Sequence, residues 1–359
     1  MTATDTQCGC ATHYTLHKNG RSCVEPQSFL LVSQKKNFLR ILFADGVPDY
    51  ALPIKTDREN IGPMAYDFVR DFVYWMDVTE KLIHRARQNG SGADYVIDLK
   101  KSGYDSTTSE EPFDFALDPF SNSFFWTDKK KNTISFLNTL TQSKGLVFSK
   151  KGFYPRKIVA YPEKGRLFWT SVDERETRTK LMSITFAGTD MKHLGSLDRS
   201  VIGDLVIDHP SQLLYYLDTE KNKIVSLSLT GQEQFKTPIE TKFNPVSIAT
   251  NNEHIFWADR NMIYKVSKAA STQNSVVFHG RYDALSQIIA VNTSRKNCKS
   301  SIIDWWFSQK WRKSVDYLIE VLQFKDPADF EVFYPGKVLM IIMGFSRNSP
   351  HFPVEDIHF

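Results

Sequence analysis

"RDFVYWMD", residues 70–77, reads as a β-strand that ends in two large aromatics and an acid. Near-copies of its last four letters return as Phe125-Trp126-Thr127-Asp128, Phe168-Trp169-Thr170-Ser171, Tyr215-Tyr216-Leu217-Asp218 and Phe256-Trp257-Ala258-Asp259. A catalytic motif normally occurs once, so this recurrence points to architecture before chemistry. The marker aromatics Trp75, Trp126, Trp169, Tyr216 and Trp257 are spaced by 51, 43, 47 and 41 residues. A period in the forties is too long for a solenoid coil and right for a propeller blade of four strands.

The flanks repeat as well. An apolar strand precedes each marker, as in "DFALDP" (114–119), "KIVAYP" (157–162), "DLVIDH" (204–209) and "VSIAT" (246–250). A polar hairpin and an alternating strand follow it, as in "KLIHRAR" (81–87), "TISFLNT" (133–139), "KIVSLSL" (223–229) and "MIYKVSK" (262–268). The alternation of Phe113, Phe115 and Leu117 is the period of a strand with one buried face. Asn89-Gly90, Gly188 and Gly231 punctuate the joins. Before the first marker, "SFLLVSQKKNFLRILFADG" (28–46) has the form of a blade lacking its inner strand. After the last, "LSQIIAVN" (285–292) is an orphan inner strand. Joining the two predicts a sixth blade that closes the ring and removes exposed sheet edges.

In such a ring a flat side chain on the second strand fills the wedge between blades, burying on the order of 150–250 Å². An acid at the strand end accepts backbone N–H bonds from a neighbouring turn, which on this reading ties blade to blade. Trp75, Trp126, Trp169, Tyr216 and Trp257 are then core, and Asp77, Asp128, Asp218 and Asp259 are buried structural acids. Acids lining a metal or substrate site are the competing reading. Ser171 breaks the acid rule and Tyr216 the tryptophan rule, so their blades are expected to be looser.

Composition narrows the function classes. The charged fraction of 24% and hydrophobic fraction of 41% are those of an ordinary soluble protein, and 359 residues suffice for a real core. A net charge of +4 gives no footprint for nucleic acid, and Lys129-Lys130-Lys131 reads as a solvated hairpin tip. No apolar run approaches the ~20 residues of a membrane helix; "VLMIIMGF" (338–345) reads as a strand or buried segment. The polar opening Met1 to Gln7 is no signal peptide, so an extracellular role implies a fragment or an incomplete gene reading. P-loop, zinc-protease and Gly-x-Ser-x-Gly motifs are absent, and the nine histidines are scattered.

On its five markers and their flanks the sequence resembles the YWTD, or class B, repeats of the low-density lipoprotein receptor-related family, over residues 28–298. "YPRKIVAYPEKGRLFWT" (154–170) and "NPVSIATNNEHIFWAD" (244–259) are its most specific stretches. The resemblance implies an all-β fold, a six-bladed propeller over residues 25–298. "CGCATHYTLHKNGRSC" (8–23) resembles the second half of an epidermal-growth-factor-like module, assigned to residues 1–24. That pattern implies a Cys10–Cys23 disulfide and leaves Cys8 unpaired; a small metal site from Cys8, Cys10 and His13 is the rival. Asn297-Cys298 resembles the start of a further module, with Cys298 unpaired. Residues 299–359 match nothing in the family; "WRKSVDYLIEVLQF" (311–324) has helical spacing, and the tail reads either as mixed, partly helical structure or as unrelated sequence.

Within the family, "VPDYALPIK" (47–55), "YWMDVTEKLIHR" (74–85), "NGSGADYVID" (89–98) and "VSKAASTQNSVVFHGRYDALSQIIAVN" (266–292) lean toward the arrow-type Wnt co-receptors. The resemblance implies an extracellular receptor ectodomain, or a secreted truncated form, that binds secreted protein ligands, namely Wnt proteins or their antagonists. It implies no catalytic residue and no cofactor. The family's binding loops follow the markers, which nominates Val78, Thr79, Lys81, Lys130, Arg156 and Arg260. Lys81 and Lys130 stand where the co-receptors tend to carry acids, Val172 and Arg260 replace tryptophans, and Gly203 replaces an asparagine, so the face is expected to be basic and poor in aromatics. The alternatives are an endocytic lipoprotein-type receptor, a basement-membrane adhesion module, and a calcium-dependent propeller enzyme using inner-strand acids such as Asp118 and Asp208. Asn89-Gly90-Ser91 and Asn292-Thr293-Ser294 are glycosylation sequons, with a plain hairpin turn the competing reading of Asn89.

Overall fold

The structure, a computed structural model, describes residues 10, 14–17, 21–24, 26–34, 37–43, 48–49, 61–102, 112–172, 178–198, 200–230, 238–241, 244–269, 276–292, 330–333 and 340–343. The chain divides into two compact units, Met1–Cys298 and Lys299–Phe359. In the second unit a two-stranded antiparallel sheet pairs Phe330–Phe333 with Met340–Met343. The helix expected at 311–324 lies outside the described residues, as do Cys8 and Cys298.

Among its described residues the first unit holds six four-stranded antiparallel sheets, five of them hydrogen-bonded in chain order from the inside outward. The first blade comprises Ile61–Asp67, Phe72–Asp77, Leu82–Arg87 and Asp94–Asp98. The second comprises Pro112–Asp118, Ser123–Asp128, Thr133–Asn138 and Lys144–Ser149. Tyr154–Tyr161, Arg166–Val172, Arg178–Thr185 and Lys192–Asp198 form the third. Ile202–Asp208, Leu213–Asp218, Lys223–Ser228 and Ile239–Glu240 form the fourth. The fifth is Ser247–Thr250, His254–Ala258, Met262–Ser267 and Val276–Gly280. The sixth takes its inner strand, Gln287–Asn292, from the far end of the unit and joins it to Ser28–Ser33, Phe38–Leu42 and Pro48–Asp49. Six register pairs, Gln287↔Ser33 to Asn292↔Ser28, close the ring.

Register explains why the marker is missing from the sixth blade. Phe115 faces Trp126 in the second blade, and Ile288 faces Val32 in the sixth. Val32, Ser33 and Gln34 therefore occupy the Trp-Thr-Asp positions, a substitution that erases the motif and keeps the strand. The core lies between blades. Trp126, for example, is fully buried in a cluster with Tyr74, Met76 and Ile83 of the first blade. Trp169 packs with Phe125, Ile134 and Phe148 of the second. Tyr216 sits with Tyr161 and Phe168, Trp257 with Tyr215 and Leu217, and Trp75 with Phe29 and Phe38. A large aromatic in a wedge removes more apolar area than any aliphatic of that position could, which is the physical reason for the repeat.

The acids after the aromatics hold the turns that follow them. Asp77 Oδ1 accepts the N–H groups of Thr79 and Glu80 at 2.9 and 2.8 Å. Asp128 Oδ1 holds Lys130 and Lys131, and Asp259 Oδ1 holds Asn261 and Met262. Each is an Asx turn within its own blade, closing the hairpin to the third strand. Lys81, Asn132 and Asn222 then take the left-handed position, at φ 59°, 57° and 51°. Asp77, Asp128 and Asp218 are buried, whereas Asp259 is only half-buried. Ser171, without a carboxylate, is fully buried and accepts the N–H of Tyr154 at 2.8 Å, so it anchors the start of its blade instead.

Candidate functional site

The topology sorts the loops onto two faces. Second strands end, third strands begin and inner strands begin on what we term the upper face; turns between first and second or third and fourth strands lie on the lower face. The N-terminal segment joins the ring at Ser28, paired with Asn292 at the lower end of the channel. In that segment Thr15–Leu16 pairs with Cys23–Val24, and Cys10 and Cys23 form a disulfide.

Just inside the upper mouth, the inner strands place one side chain each at a matching position: Pro63, Asp114, Lys157, Asp204, Ser247 and Gln287. Each immediately precedes the residue paired with the marker position (Met64, Phe115, Ile158, Leu205, Ile248, Ile288). Four of them reach the next blade. Asp114 Oδ2 accepts the N–H of Ile158 at 3.0 Å, Asp204 Oδ2 that of Ile248 at 3.1 Å, and Ser247 Oγ that of Ile288 at 3.1 Å. Gln287 Oε1 accepts the N–H of Met64 at 2.7 Å. Pro63 and Lys157 present no acceptor, and in those two gaps the following blade satisfies itself. Phe115 N–H donates to Asp114 Oδ1 and Leu205 N–H to Asp204 Oδ1, both at 3.0 Å. The inner-strand ring is therefore a clamp between blades, joined by the Thr127 hydroxyl, which donates to Arg156 O of the next blade at 2.6 Å, while the motif acids hold hairpin turns.

The ring also concentrates charge. Lys157 Nζ lies 4.0 Å from Asp114 Oδ2. Burial pushes the Asp114 carboxyl up to about 6 despite the Lys157 ammonium beside it. Burial pulls the Lys157 pKa down, but Asp114 and Asp204 outweigh it and hold it above the usual lysine value. Below the ring runs a channel of about 270 Å³, lined by Ala65, Ala116, Val159, Val206, Ala249 and Ile289 among others.

At the channel's lower end the inner-strand acids are engaged by protein donors. Asp118 accepts Phe120 N–H at 3.0 Å and the Ser121 hydroxyl. Asp208 accepts the Ser211 hydroxyl and Lys268 Nζ, the latter at 2.7 Å. Among the described residues no group of three or more His, Cys, Asp or Glu is placed to hold a metal.

The six nominated binding residues all fall on the upper face. Val78, Thr79, Lys130 and Arg260 are exposed; Lys81 and Arg156 are half-buried. Lys81 is committed to its turn, where its N–H donates to Asp77 O at 2.8 Å. Phe113 joins them and was not nominated. The alternation rule buries it with Phe115 and Leu117, yet it is 37% exposed. The cause is a register shift between Pro112 and Asp114, which rotates Phe113 out onto the rim. Lys157 Nζ lies 5.9 Å from its ring centroid. Val201, at 48% exposure, is a further apolar group on this face. Around them Gly62 and Gly203 leave shallow ground; a Cβ on either would stand 2.5 Å from Val78 Cγ2 or Thr219 Cγ2.

No protein-family model matches the chain. Low-density lipoprotein receptor-related protein 5 of Homo sapiens is 29% identical over 288 residues, covering 79% of this chain and 17% of that protein. Its Mus musculus counterpart matches to the same extent. The vitellogenin receptor Yl of Drosophila melanogaster is 22% identical over 269 residues, 70% of this chain and 13% of the receptor. The chain is similar to the low-density lipoprotein receptor-related family over most of its length. Among solved structures, a chain of the nidogen/laminin complex shares the fold, with a TM-score of 0.60 and 22% identity over 74% of this chain and 99% of that one. The propeller is an extracellular module, and its Cys10–Cys23 bridge suits an oxidising compartment. The curated relatives are receptors or receptor-related proteins by name, and the chain spans 13–17% of their length. No helix among the described residues is long and apolar enough to cross a membrane.

Proposed function

We propose that this propeller binds secreted protein ligands of the Wnt co-receptor type, Wnt proteins or their antagonists, on its upper face. The observation that carries the reading is the upper rim itself. Val78, Phe113 and Val201 are exposed on the first, second and fourth blades, and Arg260 on the fifth, with half-buried Arg156 on the third, all on the face away from the N-terminal junction. Exposed apolar groups rimmed by charge mark protein contact surfaces. The 29% identity over 288 residues to low-density lipoprotein receptor-related protein 5 supports the co-receptor branch. The face has drifted toward lysine and arginine, so the ligand set is expected to favour more acidic partners than the branch's usual face. We further infer a binding module without catalysis or cofactor, because Asp118 and Asp208 already hold turns and a lysine.

A second reading, an endocytic receptor for lipoprotein-type cargo, is favoured by the likeness to the vitellogenin receptor. Purified full-length chain, immobilised and presented with Wnt proteins, secreted Wnt antagonists, lipoprotein cargo and laminin modules, separates the readings. Saturable binding of a Wnt protein or antagonist is expected. Binding of lipoprotein cargo alone selects the endocytic reading, and of laminin modules alone an adhesive one; both overturn the first.

A further inference from the structure

We propose that Asn89 carries an N-linked oligosaccharide on the lower face of the first blade, and that the second sequon asparagine, Asn292, does not. The inference rests on the propeller being extracellular, not on which ligand it binds. Asn89-Gly90-Ser91 forms the tip between the third and fourth strands of the first blade. The tip is closed by Gly90 N–H to Arg87 O and Arg87 N–H to Ser91 O, both at 2.9 Å. Asn89 Oδ1 accepts the N–H of Ser91 at 3.0 Å. That bond turns the amide so that its carbonyl is used by the backbone. Its Nδ2 and the Ser91 hydroxyl have no hydrogen-bond partner among the described residues, and both residues are exposed. These are the two atoms a sequon must offer, the accepting nitrogen and the hydroxyl two residues on. Gly90, at φ 79°, supplies the left-handed turn that presents them.

Asn292 is placed differently. It is the last residue of the innermost strand, pairs with Ser28, is half-buried and lines the channel. An oligosaccharide there would have to leave through the lower mouth beside the N-terminal segment. In the transfer at residue 89, Nδ2 bonds to C1 of the reducing-end sugar of a lipid-pyrophosphate oligosaccharide. The C1–O bond to the pyrophosphate breaks, the lipid pyrophosphate leaves with the electron pair, and the amide nitrogen releases one proton. A bulky polar chain at this tip covers the lower rim and leaves the upper face open.

The test is secretion of the full chain from animal cells behind an added cleavable signal sequence, followed by peptide mapping after amide-cleaving glycosidase treatment in heavy-oxygen water, with an untreated control for spontaneous deamidation at Asn89-Gly90. The heavy label is expected at residue 89 and not at 292, with the loss of one oligosaccharide from the intact mass. Asn89→Gln and Ser91→Ala should each abolish the mass change, and Asn292→Gln should leave it. Mapping of the wild-type chain needs no variant to fold. An unlabelled residue 89, a label at residue 292, or a mass change that survives both Asn89→Gln and Ser91→Ala overturns the proposal.

Discussion

Replacing Asp204 by alanine should destabilise the propeller far more than replacing Asp77, although Asp77 belongs to the repeated motif and Asp204 does not. Asp204 Oδ2 accepts Ser247 Oγ at 2.6 Å and Ile248 N–H at 3.1 Å, and Oδ1 accepts Leu205 N–H at 3.0 Å. All four residues are buried. Alanine strands two backbone donors and a hydroxyl, and each buried orphan costs about 1–3 kcal/mol. Water admitted from the channel recovers part of this, leaving roughly 3–5 kcal/mol. Asp77 holds Thr79 and Glu80 N–H groups at a rim where Thr79 is exposed, so water replaces the carboxylate and the loss is about 1 kcal/mol. Chemical denaturation of the full chain, followed by circular dichroism, reads both. A double-mutant cycle of Asp204→Ala with Ser247→Ala should show a coupling on the order of 1–2 kcal/mol. If Asp204→Ala costs less than about 1 kcal/mol, or Asp77→Ala costs as much, the inner ring is not the clamp between blades.

Two further outcomes follow from the same geometry. The folded Asp114 carboxyl, at about 6, lies above its unfolded value of 3.8, so its contribution is full below 3.8 and is lost as pH rises through 6. Wild-type stability measured against Asp114→Asn should therefore fall by roughly 2 kcal/mol between pH 4 and 7, and a flat difference would contradict the burial argument. Trp257 is fully buried, stacks on Tyr264 at 4.0 Å, and has no hydrogen-bond partner for its indole nitrogen among the described residues. Trp257→Phe should cost under about 2 kcal/mol and Trp257→Ala about 3–5; equal losses in denaturation midpoints would mean that the indole N–H, and not the wedge, matters.

The fold was legible because one physical need repeats with one chemical answer. Every wedge wants a large flat side chain, so Trp75, Trp126, Trp169, Tyr216 and Trp257 advertise five blades, and the stranded segments at 28–46 and 285–292 supply the sixth. The inner ring was illegible for the opposite reason. Proline, aspartate, lysine, aspartate, serine and glutamine serve one position, because any side-chain acceptor of suitable reach can take the N–H of the next blade. Where there is none, the neighbour bonds itself, as Asp114 and Asp204 do. The acids after the aromatics recur because each second strand ends in a turn that a carboxylate can hold. Phe113 was hidden by a bulge, which breaks the alternation that strand reading depends on. The two sequons divide similarly. Two sequons look alike as letters, and only their placement on a turn tip and at a channel end separates them.

The upper face as the ligand surface is tested most directly by charge reversal on each side of the ring. A secreted Wnt antagonist should be titrated against the full chain as wild type, as Arg260→Glu with Phe113→Ser on the upper face, and as Glu253→Lys on the exposed lower-face turn. The account predicts saturable binding that weakens about tenfold or more, some 1.4 kcal/mol, in the upper-face variant and less than about twofold in the lower-face one. Affinity lost only through Glu253→Lys, or unchanged by the upper-face pair, would contradict it.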